Sequence, residues 1–462
     1  MRRLVSLLLL LLLCLPVSPA QAQASGPIYI VQPGDTLTGI AAMFGTTVDA
    51  LVELNNIADA SLVYPGAELV IPGFEGVSGV LAARPIEFGE TLASLSLRNG
   101  VAQDTIVRLN RVTNPGRLYV GEPVIVPEGS TSAMALPLAE LLSPSTGETT
   151  LEIAVRAGIN PWTLRVLNDQ ADRLWVLPGA VLAVPGGSSP TSALPEPISA
   201  VEVSPRPAVQ GRTTEVRLGL TDSAWAEGTL GEWRLHFQAL DALNLVALQG
   251  IYTMAEPGLY DLELRLFASE GGEEIYAFSQ PVLVADGGYL NDPPLTVPAQ
   301  TIDPAVTQPE NELIASIVGQ WTPERMWQGT FQYPSPYTDC YPSRFGSRRS
   351  YNGSEYIYYH TGLDFCGSTT TPVLAPARGR VAFAGPLTVR GNTTILDHGW
   401  GIFTGYLHQS QILVSVGDVV DVGQTIGMVG ATGRVTGPHL HWDVYVGGIP
   451  VNPLEWTSTA FP

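Results

Sequence analysis

A chain of 462 residues has room for about three domains, and its 45% apolar content is ordinary for a globular protein. Its 48 glycines and 38 prolines, set against only 14% charged residues, point to short strands, many turns and linkers. A net charge of −20 excludes the clustered cations that grip nucleic-acid phosphates or anionic membranes, and leaves neutral sugars and peptides as better ligands.

In chain order, the first element is residues 1–24, MRRLVSLLLLLLLCLPVSPAQAQA: two arginines, a leucine-rich run, then small residues at Ala20, Ala22 and Ala24. This is the pattern of an export signal. The apolar run falls short of the roughly 20 residues of a spanning helix, so the chain is expected to be secreted to the cell envelope with no stable membrane span. Leu13 stands before Cys14 where a lipid-attachment signal prefers a small residue, which sets lipidation aside. Loss of the signal leaves Cys340 and Cys366 as a pair. An oxidising compartment permits a disulfide between them; two buried free thiols are the alternative, because sequence does not give their separation.

The following segment repeats. Gly34, Asn55, Gly66 and Pro72 are spaced 21, 11 and 6 residues apart, and the same spacings recur at Gly89, Asn110, Gly121 and Pro127 and again at Gly147, Asn168, Gly179 and Pro185. A leucine precedes the asparagine each time, at Leu54, Leu109 and Leu167. The first unit reads as an extended segment from Tyr29, a turn at Gly34, a helix whose opening N–H groups Asp35 and Thr36 can satisfy, and a second helix. Thr46 and Asp49 form a capping-box pattern for that second helix, Val48, Leu51, Val52 and Leu54 give it an apolar face, and ELVIPG closes as a strand. The unit is βααβ.

The string PGDTL…LNN…PG..L.IP resembles the LysM domain, a small βααβ module of glycan-binding proteins. The resemblance implies a LysM domain at 27–73, a LysM-like repeat at 82–128 and a degenerate one at 135–186. It also implies that N-acetylglucosamine-containing glycan lies against Gly34, Asp35, Thr36, Asn56 and Ile57. The second unit keeps GETL without the proline before Gly89 and the third reads GETTL, so these two are either further sugar sites or spacers.

Residues 187–199 are rich in proline and serine and read as a linker. Between 200 and 286, short alternating runs such as TEVRLGL, EWRLHFQAL and YDLELRLF predict an antiparallel β-sandwich, with His236 as a structural residue on one strand. Residues 287–330 are Pro-rich and then partly helical in pattern, which fits either a plain linker or a segment lying over a downstream groove.

The other five histidines fall between His360 and His441. Side chains alternate along a strand, so His439 and His441 of GPHLHW share a face while Leu440 and Trp442 take the opposite one. Upstream, HTGLDF puts His360 and Asp364 on one side. Two histidines and one aspartate suit a Zn²⁺ ion with one position left for water, whose pKa such an ion lowers to about 7. No HExxH motif supplies a glutamate base, so histidine has to move the protons: His408 of GYLHQS, joined by whichever of His439 and His441 is not a ligand. Spacing does not decide between those two. His398 of LDHGWG reads as a structural residue in a turn.

Together, FGSRRSYNGSEYIYYHTGLDF, GNTTILDHGWGIFTGYLHQS and VGDVVDVGQTIGMVGATGRVTGPHLHW resemble the M23 family of zinc metalloendopeptidases, the lysostaphin-like or LytM-type cell-wall hydrolases. The resemblance implies an M23 domain at 331–458, an antiparallel β-sheet of duplicated-hybrid-motif type, preceded by an Ig-like sandwich. The whole is then a multidomain, mainly β chain. It implies His360, Asp364 and His441 as ligands of one Zn²⁺, His408 and His439 as catalytic histidines, and peptide cross-links of peptidoglycan as substrate, held through the LysM glycan sites. Trp442 and Asp443 stand where the family more often has Phe and Glu, and Gln409 where it has Leu. Competing readings are a non-catalytic relative that activates separate cell-wall amidases, and an iron oxygenase built on the same two-histidine, one-carboxylate triad.

Overall fold

The computed structural model describes residues 26–59, 63–114, 118–129, 139–142, 144, 147–161, 164–165, 168, 182–185, 194 and 197–462. The export segment with Cys14, most of the 187–199 linker, Leu167 and Gly179 lie outside these residues. Strand outweighs helix, as the turn-rich composition predicts. The described residues form two compact units: one contains the first repeat with 99–113 and 125–129, the other 84–98, 114–124 and everything described from residue 139 onward.

The first repeat is a strand Ile28–Ile30, helices Leu37–Phe44 and Val48–Leu54, and a strand Glu68–Val70 antiparallel to the first. Leu37, Ile40, Phe44, Leu51 and Leu69 close its core with Tyr29 and Val31. Thr36 caps the first helix through Gly39 N–H, whereas Asp35 is turned back onto Gln32 N–H and the Tyr29 hydroxyl and caps nothing. The second helix is capped by Thr47 through Ala50 N–H and not by Thr46, because the helix begins at Val48, and Thr46 instead closes the first helix with its N–H on Ala41 O.

The invariant spacing of the repeats has a physical cause. Asn55 donates from Nδ2 to Leu51 O and Val70 O and accepts Val70 N–H on Oδ1, tying the second helix to the closing strand. Asn110 makes the same three bonds with Ile106 O, Ile125 O and Ile125 N–H. Asn168 repeats them with Leu164 O, Ala183 O and Ala183 N–H, so the third unit, though degenerate in sequence, keeps the same asparagine clamp.

Two sheets, of five and four strands between Ile198 and Ala285, pack over one core that includes Leu218, Leu230, Trp233, Leu262 and Leu264. The strand Asn244–Gly250 is apolar on both faces for a reason. Leu245 and Ala247 enter the sandwich core, while Val246 and Leu248 join the core of the C-terminal domain with Trp442, Val446 and Val451. His236 stacks on Trp321 with ring centres 4.3 Å apart.

Residues 287–330 are not a plain linker. The helix Pro304–Val318, capped by Asp303, packs Ile314, Ile317 and Val318 against Ile395, Phe403 and Tyr445. Its buried Glu310 accepts the N–H groups of Val389 and Arg390 at 2.9 and 3.1 Å and the Arg390 guanidinium at 2.9 Å. Upstream, Asn291 and Leu295 form bridges with Arg348 and Tyr351.

The C-terminal domain is a seven-stranded antiparallel sheet. Its path runs Leu363–Cys366, His439–Val446, Ile402–Gln409, Gly391–Gly399, Gly379–Leu387, Val419–Val420, with Ile449–Val451 also paired to His439–Val446. Cys340 and Cys366 are disulfide-bonded, their α-carbons 5.5 Å apart.

Candidate active site

Strand pairing brings the upstream and downstream motifs together. Asp364 lies directly opposite His441, and Cys366 opposite His439, across the Leu363–Cys366 and His439–Val446 strands. Leu440 and Trp442 are fully buried in the core, so the alternating His439 and His441 are left on the groove side with Asp364.

Three ligand atoms converge. His360 Nε2, Asp364 Oδ1 and His441 Nδ1 are separated by 3.1, 3.0 and 2.9 Å, a triangle close to the edge of about 3.3 Å that donors bonded at about 2.0 Å make around tetrahedral zinc. The outer nitrogen of each imidazole is already committed. His360 Nδ1 faces Arg344 O at 2.9 Å and Ser343 Oγ at 3.1 Å, and His441 Nε2 faces Asp443 Oδ1 at 2.8 Å. With those N–H groups donated outward, the two inner nitrogens are both acceptors 2.9 Å apart, an arrangement that calls for a cation between them. The donor set fits a zinc ion.

Charge reinforces this arrangement. Burial opposes ionisation of Asp364, but His360 and His441 hold its carboxyl well below the usual range. Burial also opposes protonation of His441, yet Asp443 and Asp364 overcome it and raise the pKa to about 9, so without a metal ion Nδ1 holds a proton towards Asp364, and a cation bound at the triangle would take the place of that proton. Asp443 is itself fixed by the Thr361 hydroxyl at 2.9 Å and the Tyr445 hydroxyl at 3.0 Å.

His408 and His439 stand beside the triangle, their rings 5.1 Å apart. His408 Nδ1 meets Thr432 O at 2.8 Å and His439 Nδ1 meets Gly437 O at 2.9 Å. Each therefore donates its Nδ1–H to a backbone carbonyl and leaves Nε2 outside any hydrogen bond, that of His439 lying 3.6 Å from Asp364 Oδ1. Burial, then the neighbouring His441 and His439, pull the His408 pKa down to about 3, so the ring is neutral. The Ile402–Gln409 strand reaches His408 through a register shift, with φ of 64° at that residue, a left-handed conformation rare outside glycine.

His398 is not in a turn: the strand Gly391–Gly399 runs through it. It bonds Arg378 O and the Thr404 hydroxyl and packs on Phe331, away from the ligand triangle. The residues expected to hold glycan, Gly34, Asp35, Thr36, Asn56 and Ile57, belong to the N-terminal unit. Sequence reasoning missed Asp443 as the partner of His441, although the HLHWD alternation places it on the same face. It also missed Ser343, Arg344 and the carbonyls of Thr432 and Gly437, for which no sequence pattern exists.

Residues 358–453 match Peptidase family M23, and residues 29–72 and 86–127 match the LysM domain. The chain carries an M23 peptidase domain. Two LysM domains precede it. The chain is 40% identical over 129 residues to peptidoglycan DD-endopeptidase ShyA of Vibrio cholerae, covering 28% of this chain and 30% of that protein. It is 43% identical over 103 residues to DD-carboxypeptidase/endopeptidase Mpg of Neisseria meningitidis, covering 22% of this chain and 23% of Mpg. The chain thus spans less than a third of the length of these curated relatives. Among solved structures, the lysostaphin catalytic domain of Staphylococcus simulans aligns at 28% identity and a TM-score of 0.22, over 31% of this chain and 98% of that one.

Proposed function

We propose that this chain is a zinc-dependent peptidase that hydrolyses peptide cross-links of peptidoglycan, exported to the cell envelope and held at the wall by LysM–glycan contacts. The single observation that carries the reading is the triangle of His360, Asp364 and His441 ligand atoms flanked by two histidines with free Nε2. A zinc ion held there supplies Lewis acidity. His408 and His439 do the proton work: one Nε2 takes a proton from the water that adds to the scissile carbonyl, and the other, carrying a proton taken up from solvent on its Nε2, donates it as a hydrogen bond to the oxyanion. The accepted proton passes to the departing amide nitrogen as the C–N bond breaks. Asp443, Ser343 and the Arg344 carbonyl keep the two ligand imidazoles in register.

The repeats divide the labour. In the first, Gly34, Thr36 and Asn56 are exposed, as a site for N-acetylglucosamine-containing glycan formed with Asp35 and Ile57 requires. In the second, the corresponding loop is covered: Phe88 packs on Phe278, Gly89 N–H donates to the Gln280 side chain, and Glu90 is buried against Arg84 and Arg98. The second repeat therefore serves as a docking spacer, and the first raises the effective concentration of the peptidase at the wall. Purified peptidoglycan incubated with the mature chain should release muropeptides with new amine ends, and chelation should abolish the release. Intact sacculi after incubation with zinc-loaded protein would refute the activity.

A further inference from the structure

Two adjoining cavities, of about 330 and 510 Å³, meet at the ligand triangle and share His360, His408, His441, Tyr351, Arg349 and Arg434. Arginines are unexpected at the centre of a chain carrying a net charge of −20. A third, Arg390, lines the smaller cavity but is consumed by Glu310. Arg349 and Arg434 are not consumed. Arg349 gives one N–H to Ser343 Oγ at 2.8 Å and another to the Tyr351 hydroxyl at 3.4 Å, and its buried Nε–H makes no hydrogen bond and lies 3.8 Å from the Asp292 carboxylate. Arg434 gives one N–H to Thr301 O, lies 4.6 Å over the Tyr351 ring, and has no carboxylate within ion-pair distance among the described residues. Of the three guanidiniums, Arg390 is paired with Glu310 and Arg349 lies near Asp292, while Arg434 has no carboxylate partner among the described residues and Asp364, the third carboxylate of the groove, is held by His360 and His441.

We propose that Arg349 and Arg434 form a carboxylate subsite beside the reacting bond, so that the substrate is a peptide with a free carboxylate next to its scissile amide. The inference rests on the peptidase reading and sharpens it. A planar, half-buried guanidinium with open donors is suited to bidentate contact with a carboxylate, and the stacked Tyr351 fixes the Arg434 plane. A cross-link whose acyl acceptor is a diamino diacid presents such a carboxylate; a glycine bridge does not. The subsite therefore selects the first class over the second.

Two synthetic peptides test this. In one, D-alanine acylates an amine of a diamino diacid whose adjacent carboxyl is free; in the other that carboxyl is a primary amide. Cleavage by the wild type and binding to zinc-loaded His439→Ala by calorimetry are both measured. The free carboxylate should be favoured about 100-fold in kcat/KM and in Kd, and R349Q or R434Q should each remove most of that preference, with R434K intermediate. Equal treatment of the two peptides by the wild type, or full preference retained in both glutamine variants, would overturn the subsite. Binding preference without cleavage of either peptide would keep the subsite and refute the peptidase. Neither binding nor cleavage of either peptide would refute both.

Discussion

At the residue scale, the centre depends on which nitrogen of each histidine is free. His360, His408 and His439 donate Nδ1–H to neighbouring oxygens, while His441 is reversed because Asp443 takes its Nε2–H. Asp443 touches no reacting atom, so its effect is one of positioning. D443N replaces a charged acceptor with a neutral one and should weaken zinc binding by about 10–100-fold, with cleavage recovering as zinc is raised. Competition against a chelator of known affinity measures this. Unchanged zinc affinity in D443N would show that the Asp443–His441 bond does not orient the ligand.

At the element scale, the asparagine clamp explains why repeats of diverging sequence keep one spacing. Each clamp fastens a helix end to a strand fifteen residues on, at Asn55–Val70, Asn110–Ile125 and Asn168–Ala183. Asn55→Ala removes three hydrogen bonds of about 1 kcal/mol each, so exchange protection of the Val70 amide should fall by on the order of 100-fold. Protection equal to wild type would mean the clamp adds nothing to local stability. Elements of this kind were legible in the sequence because their signals are local. A two-residue period put His439 and His441 on one face, and a four-residue step put Asp364 beside His360. Thr47 replaced Thr46 as cap because the helix begins at Val48, one residue later than the capping-box pattern places it. The carbonyls that set histidine tautomers, and Arg349 and Arg434, were hidden because tertiary pairing alone brings them to the groove.

At the scale of the whole molecule, the sandwich and the peptidase domain share buried contacts. Val246 and Leu248 belong to the peptidase core, and Glu455 of the C-terminal helix Pro453–Ser458 accepts both the N–H and the hydroxyl of Thr213 in the sandwich. Burial outweighs these hydrogen bonds and raises the Glu455 pKa from 4.5 to about 7. The folded chain then holds a proton that the unfolded chain releases, so this stabilisation is complete below about pH 4.5 and is lost as pH rises through about 7. E455Q, which keeps the acceptor and never ionises, should match wild type near pH 4.5 and exceed it by on the order of 3 kcal/mol at pH 8. Urea midpoints of the two proteins at both pH values measure the difference, and a gap independent of pH would contradict it.

The claim that one zinc ion is held by His360, Asp364 and His441 while His408 and His439 carry protons is tested most directly by measuring bound zinc and cross-link cleavage together in H439A and H441A. The account predicts one zinc per chain and cleavage lowered by about 10²–10⁴-fold in H439A, and loss of both zinc and cleavage in H441A. Zinc retained in full by H441A, or cleavage at the wild-type rate by H439A, would contradict it.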